Sequence, residues 1–162
     1  MIVLRIGLLV LVLLSASCAN NGKQSHEKQI LETIDKHYKS ASGNTIEIKS
    51  YGNMDILKKD KSKNWTGSEI KYYYAGILKN VAGIANSTVT EGDGPNKGQV
   101  IYKEGDMVEG FYVTFRIQFA EKNGEITEIK SDEINCIPPN WLKDEKTKLQ
   151  ITQNLKDKPA FN

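Results

Sequence analysis

Residues 109–132 (EGFYVTFRIQFAEKNGEITEIKSD) constrain the fold more than any other part of the chain. Phe111, Val113, Phe115, Ile117 and Phe119 alternate with Tyr112, Thr114, Arg116 and Gln118. Successive side chains of a strand point to opposite faces, so this period of two gives one apolar face and one that can meet water. Asn123-Gly124 follows, a two-residue hairpin turn in which both residues accept positive φ, and the chain returns through Ile126 and Ile129. A two-residue turn in regular register sets Phe119 opposite Glu128. A three-residue loop sets Ile117 opposite Ile129 but turns Ile126 outward. A β-bulge between the two isoleucines would place both on the phenylalanine face. The rest of the fold has to cover that face.

Two segments have helical periodicity. Over Ser25 to Ser42, Ile30, Leu31, Ile34, His37 and Tyr38 form one stripe, with Ser25 placed to cap the start and Gly43 after the end. His26 and His37 are too far apart on this helix to share a metal, and Asp35 and His37 face different ways. Over Thr66 to Ala85, Thr66-Gly67-Ser68-Glu69 fits a capping box, and Ile70, Tyr73, Tyr74, Ile77, Leu78, Val81, Ile84 and Ala85 fall at helical spacing. This second helix is expected to lay Ile70, Tyr74, Ile77, Leu78 and Val81 on Phe111, Val113, Phe115 and Ile117, leaving the Thr114 side of the strand wet. Thr45 to Lys49 reads as a strand, with a turn at Gly52-Asn53 leading to a short strand around Met54 to Leu57. Lys58 to Lys63 reads as a charged loop, and Ser87 to Gly98 as a turn-rich connection. Gln99 to Tyr102 and Ile134 to Ile137 read as strands, the latter stopped by Pro138-Pro139. Residues 140–156 are weakly amphipathic, and 156–162 read as a frayed tail.

These elements predict an α+β domain, a curved antiparallel sheet packed on one or two helices. By fold-level analogy it looks like the cystatin-like or nuclear-transport-factor-like cone, an analogy that implies no function. The domain is expected to span residues 25–156, with 157–162 as a tail.

The N-terminus carries the clearest functional signal. Met1 to Ser17 (MIVLRIGLLVLVLLSAS) has a basic Arg5, an unbroken apolar run from Ile6 to Leu14, and the small residues Ser15-Ala16-Ser17. This is the pattern of a secretory signal peptide over 1–17, too short for a spanning helix. Cys18 follows directly. A cysteine in that position resembles the lipobox of bacterial lipoproteins, although Ser15 stands where leucine is usual and Leu14 is one step early. The resemblance covers the first eighteen residues. It implies cleavage before Cys18, diacylation of its sulfur and acylation of the new amine, with 18–24 as a polar tether. It further implies a protein of the cell envelope, held by membrane lipid through Cys18, in the outer membrane if the cell has one. Without acylation the product would be secreted, and Cys18 could pair with Cys136, the only other cysteine. With Cys18 acylated, Cys136 is expected to be a buried, unreactive thiol.

Charge and motifs exclude several classes. A net charge of +2 from 22 basic and 20 acidic residues is too balanced for a nucleic-acid partner. The Glu91–Gly98 loop has Pro95 and Lys97 where a calcium loop needs oxygen ligands, and it lacks the Gly-Lys-Ser/Thr of a phosphate loop. No zinc cluster, nucleophile elbow or dinucleotide fingerprint is present, so no cofactor, metal or catalytic residue is assigned. Three readings remain. The first is a non-catalytic envelope lipoprotein that binds a small ligand, with Tyr73, Tyr74, Phe111 and Phe115 as its binding residues. The second is a protein-interaction or inhibitor lipoprotein using a sheet edge or the Gly92–Gly98 loop against an envelope partner. The third is a small hydrolase. A pocket lined by Tyr and Phe favours the first, and a filled core with an exposed loop favours the second.

Overall fold

The computed structural model describes residues 25–40, 46–92 and 94–160. The expected signal peptide over 1–17, Cys18, the expected tether over 18–24 and the expected helix stop at Gly43 lie outside the described residues. The architecture is α+β, a curved five-stranded antiparallel sheet with two helices that does not close into a barrel.

Helix α1 spans His26–Ser40. Its start is capped as the sequence indicates: the Lys28 backbone N–H donates to Ser25 Oγ at 3.3 Å. Strand β1 is Ile46–Ser50, β2 Met54–Lys63, β3 Glu69–Ala85, β4 Val89–Thr90, β5 Val100–Tyr102, β6 Met107–Lys122 and β7 Glu125–Ile137. A 3-10 turn at Pro139–Leu142 leads to helix α2, Glu145–Asp157. The main sheet runs β1, β3, β6, β7, with β2 also paired to β3, and β4 and β5 form a separate ribbon.

The expected helix over Thr66 to Ala85 is a 17-residue strand, β3, hydrogen-bonded to β6 along its length. The error has a physical source. A strand in the middle of a sheet is apolar on both faces, so a continuous run such as YYYAGIL satisfies either period. The aromatic and β-branched residues that crowd this segment suit a pleated surface better than a helix. Gly76 supplies the other clue. A Cβ there would lie 2.6 Å from Phe115 Cζ, so the glycine makes room for the cross-strand ring. The supposed capping box is the β2–β3 turn, where Asn64 Oδ1 accepts from Thr66 Oγ1 at 2.9 Å and Gly67 has φ +70°.

The Lys58–Lys63 segment is likewise strand, the outer half of β2, and lysines along an edge strand oppose unwanted strand addition. Strands β1 and β2 do not form the expected hairpin with each other. Both pair with β3, β2 with Ile70 to Leu78 and β1 with Ala82 to Ala85. The break between them faces a kink in β3, where Asn80 takes φ 53° and the Lys79 N–H reaches the Asn53 carbonyl at 2.8 Å.

The β6–β7 hairpin turns at Asn123-Gly124, both at positive φ. Glu121 pairs with Ile126 and Phe119 with Ile129, so Thr127 is the extra residue of a bulge. The bulge places Ile126 and Ile129 on the phenylalanine face together. A second bulge at Asp132 separates the Ile117–Ser131 and Arg116–Glu133 pairs.

The phenylalanine face forms the core. Phe111, Val113, Phe115, Ile117 and Phe119 are fully buried with Tyr74, Leu78 and Val81 of β3 and Ile30 and Ile34 of α1. The cover is therefore α1, not the 66–85 segment. The opposite face is not wet. Thr114, Arg116 and Gln118 are all buried, with α2 and the residues after it lying over β2 and β3. The expectation of a single covered face is overturned, because residues 145–157 form a true helix with Leu155 turned inward.

Candidate functional site

The second face of the sheet, between β6–β7 and α2, holds a cleft of about 830 Å³. Register explains which side chains reach it. Tyr112, Thr114 and Arg116 pair with Ile137, Asn135 and Glu133, and strand alternation sends these six to the side opposite the phenylalanines. Thr114, Asn135 and Ile137 form the floor, Ile151 and Leu155 of α2 one wall, and Trp141 the mouth. Trp141 is 63% exposed. Asn154, Thr147, Asp157 and Lys158 add polar groups at the rim.

Helix α2 is fastened over this cleft at both ends. Asp144 caps its start, with Oδ1 accepting from Lys146 N–H and Oδ2 from Thr147 N–H, each at 3.1 Å. Hydrogen bonding from the Thr147 hydroxyl and these backbone groups holds the Asp144 carboxyl below its usual range. At the C-terminal end, Lys58 Nζ donates to the carbonyls of Lys156 at 3.3 Å and Lys158 at 2.9 Å. A cation beside the last carbonyls of a helix is favoured by the helix dipole.

Beside the cleft lies an ionic cluster centred on Arg116, 9% exposed. Its Nε donates to Tyr73 Oη at 2.8 Å and one terminal nitrogen to the Pro159 carbonyl at 2.7 Å. The other terminal nitrogen lies 2.9 Å from Asp132 Oδ2 and 4.0 Å from Glu133 Oε2. Glu133 also pairs with Lys158. Burial raises the Asp132 pKa, Arg116 and Lys158 pull it back, and the Glu133 charge adds to the rise. Residues 158 and 159, read as frayed, are thus tied to the sheet. A second recess of about 430 Å³ near this cluster is lined by His37, Ser131, Asp132, Glu133 and Lys158 among others.

The four residues picked from sequence as ligand contacts are not gathered around one opening. Tyr73 and Tyr74 are neighbours in a strand and point to opposite faces. Tyr73 lies under Arg116, whose guanidinium sits 5.7 Å from the ring centre. Tyr74 is on the α1 side, its hydroxyl hydrogen-bonded to His26 Nδ1 at 2.6 Å. Phe111 and Phe115 are 0% exposed. Cys136 is half-buried on the α1 side, within hydrogen-bonding reach of the Tyr38 hydroxyl. Burial and the neighbouring Cys136 raise the Tyr38 pKa well above the ordinary phenol value.

Sequence reasoning missed Arg116 and the α2 cleft. One signal was available: Arg116 is the only arginine besides Arg5, and it is the only charged residue between Glu109 and Glu121. Among the described residues no group of three or more His, Cys, Asp or Glu is placed to share a metal ion. No helix among them is long and apolar enough to cross a membrane. In comparisons with known proteins the chain matches no family model, no curated protein and no solved structure.

Proposed function

We propose that the mature protein is a cell-envelope lipoprotein, anchored through acylated Cys18, that binds a small amphipathic ligand non-catalytically in the α2 cleft. The cleft is the observation that supports this reading. Its size lies in the range of small-molecule sites, its walls are mainly apolar, and a few polar groups converge on it. Asn135 and Asn154 offer uncharged donors and acceptors, whereas Glu133 and Lys158 are committed to each other. That combination suits a ligand with an apolar body and a hydrogen-bonding head. Thr147 is occupied with the Asp144 cap and serves the wall rather than the ligand.

A solvatochromic apolar dye is the first probe. It should bind the native chain with one-to-one stoichiometry and quench Trp141. Ile151→Trp fills the cleft and should abolish dye binding while leaving the thermal midpoint near wild type. Unchanged dye binding in a stably folded Ile151→Trp protein would remove the cleft as the site.

A second reading rests on a different observation. The side chains of Phe111, Phe115 and Phe119 are fully buried, and Gly92 together with residues 94–98 is exposed beyond the β4–β5 ribbon. That arrangement favours contact with an envelope protein through the loop. Deleting residues 94–97 would abolish such contact and leave dye binding intact.

A further inference from the structure

Trp65 is 95% exposed at the tip of the β2–β3 hairpin. A solvent-exposed indole on a tight turn has no role in the core. Indole rings are favoured at the boundary between water and lipid headgroups, where an apolar ring and a polar N–H are both accommodated. The strands that carry the tip are basic. Residues 58–71 hold Lys58, Lys59, Lys61, Lys63 and Lys71 against Asp60 and Glu69. On the adjacent β6–β7 tip, Lys122 and Glu125 offset each other, and Glu121 faces His26 Nε2 at 3.4 Å.

The path of α1 places this tip relative to the chain start. His26 packs its ring against Tyr72 at 4.5 Å and Phe119 at 5.1 Å between centroids. Further along α1, Asp35 accepts from Tyr51, and Tyr38 reaches Cys136, which pairs with Val113. Helix α1 therefore begins at the hairpin-tip end of the sheet and runs away from it. From Tyr72 to Glu69 is three residues of strand, about 10 Å. The seven residues from Cys18 to Gln24 reach about 25 Å when extended. A lipid on Cys18 would thus hold the Trp65 end of the domain, rather than the α2 cleft or the far end, against the bilayer.

We propose that the β2–β3 hairpin tip is a second membrane contact. Trp65 enters the headgroup region of an anionic leaflet, and Lys61, Lys63 and Lys71 face its charge. The orientation rests on the proposed acylation of Cys18, but the hairpin's own affinity for lipid does not. A lysine close to an anionic surface raises affinity by about fivefold, so the three together are worth on the order of a hundredfold.

Among the described residues every core residue lies between Ile30 and Leu155, so a chain of residues 25–162 keeps the whole of the described core. In this chain with Trp141→Phe, Trp65 is the only tryptophan. Its emission should shift to the blue with vesicles of phosphatidylglycerol and phosphatidylcholine, and brominated acyl chains should quench it. Pure phosphatidylcholine should produce neither effect. Changing Lys61, Lys63 and Lys71 together to Gln should lower the vesicle partition coefficient at least tenfold, and Trp65→Ala should lower it with the fold intact. Absence of binding to anionic vesicles would overturn the proposal, as would binding that leaves Trp65 unquenched. Because the chain used lacks Cys18, either result is independent of whether the native protein is acylated.

Discussion

Replacing Phe115 with alanine should be among the most damaging single changes in this domain. Phe115 is fully buried at the centre of β6, with Val113 and Ile117 beside it on the same face and Gly76 across the strand. Gly76, its partner on β3, has no side chain to move into the space the ring leaves. Phe→Ala substitutions at such sites cost about 3–5 kcal/mol, a large part of the roughly 5–15 kcal/mol that stabilises a domain. With a urea m-value of about 2 kcal/mol per molar, the midpoint should fall by roughly 2 M. Thr114→Ala tests the other face. Thr114 is 2% exposed beneath α2, so losing its methyl and hydroxyl should cost about 1–2 kcal/mol. Lys130→Ala, on exposed β7, should stay within about 0.5 kcal/mol. Urea melts followed by circular dichroism compare the three. If Thr114→Ala proves as mild as Lys130→Ala, α2 does not cover the second face and the cleft is not formed as described. If Phe115→Ala is also mild, the phenylalanine face is not the core.

Removing the α2 cap with Asp144→Ala should lower the thermal midpoint and weaken dye binding in the cleft, while Asp144→Asn, which still accepts, should retain most of both. The depressed Asp144 pKa means that its stabilisation is complete above the ordinary carboxylate pKa of about 3.9 and is lost as pH falls through the lower folded value. A melt that is no more acid-sensitive in wild type than in Asp144→Asn would refute this. At the alkaline end, burial raises the pKa of Tyr38 and Tyr51 in the folded state. Their contribution is complete below the unfolded phenol pKa of about 10 and is lost as pH rises through the folded values. Phenolate absorbance from these two tyrosines, read as the difference from a Tyr38→Phe, Tyr51→Phe protein, should therefore appear only as the protein unfolds, and a difference near pH 10 with circular dichroism unchanged would contradict their burial.

The parts of the fold legible in the sequence were those with one apolar and one polar face. Helix α1 shows its stripe because its outer face is polar, and β6 shows its alternation because Thr114, Arg116 and Gln118 are polar although buried. The hairpin register was open among three arrangements in the sequence, and the structure takes the one with a bulge between Ile126 and Ile129, at Thr127. By contrast, β3 is apolar on both faces, and its period is uninformative without Gly76 as a marker. The Lys-rich half of β2 looked like loop because an edge strand needs no apolar face along its whole length. The α2 cleft depends on residues 112–116, 133–137 and 141–159 meeting in space, which local pattern does not encode. Two of the four candidate ligand residues, Tyr73 and Tyr74, were placed on a helix that does not exist, so they were given one face when the strand gives them two.

The most direct measurement is the intact mass of the native protein extracted from the membrane fraction of the cells that make it. A chain beginning at Cys18, heavier than its peptide mass by a diacylglyceryl group with or without an amide-linked acyl chain, is the predicted result. A soluble product at the unmodified peptide mass, with Cys18 joined to Cys136, would contradict it.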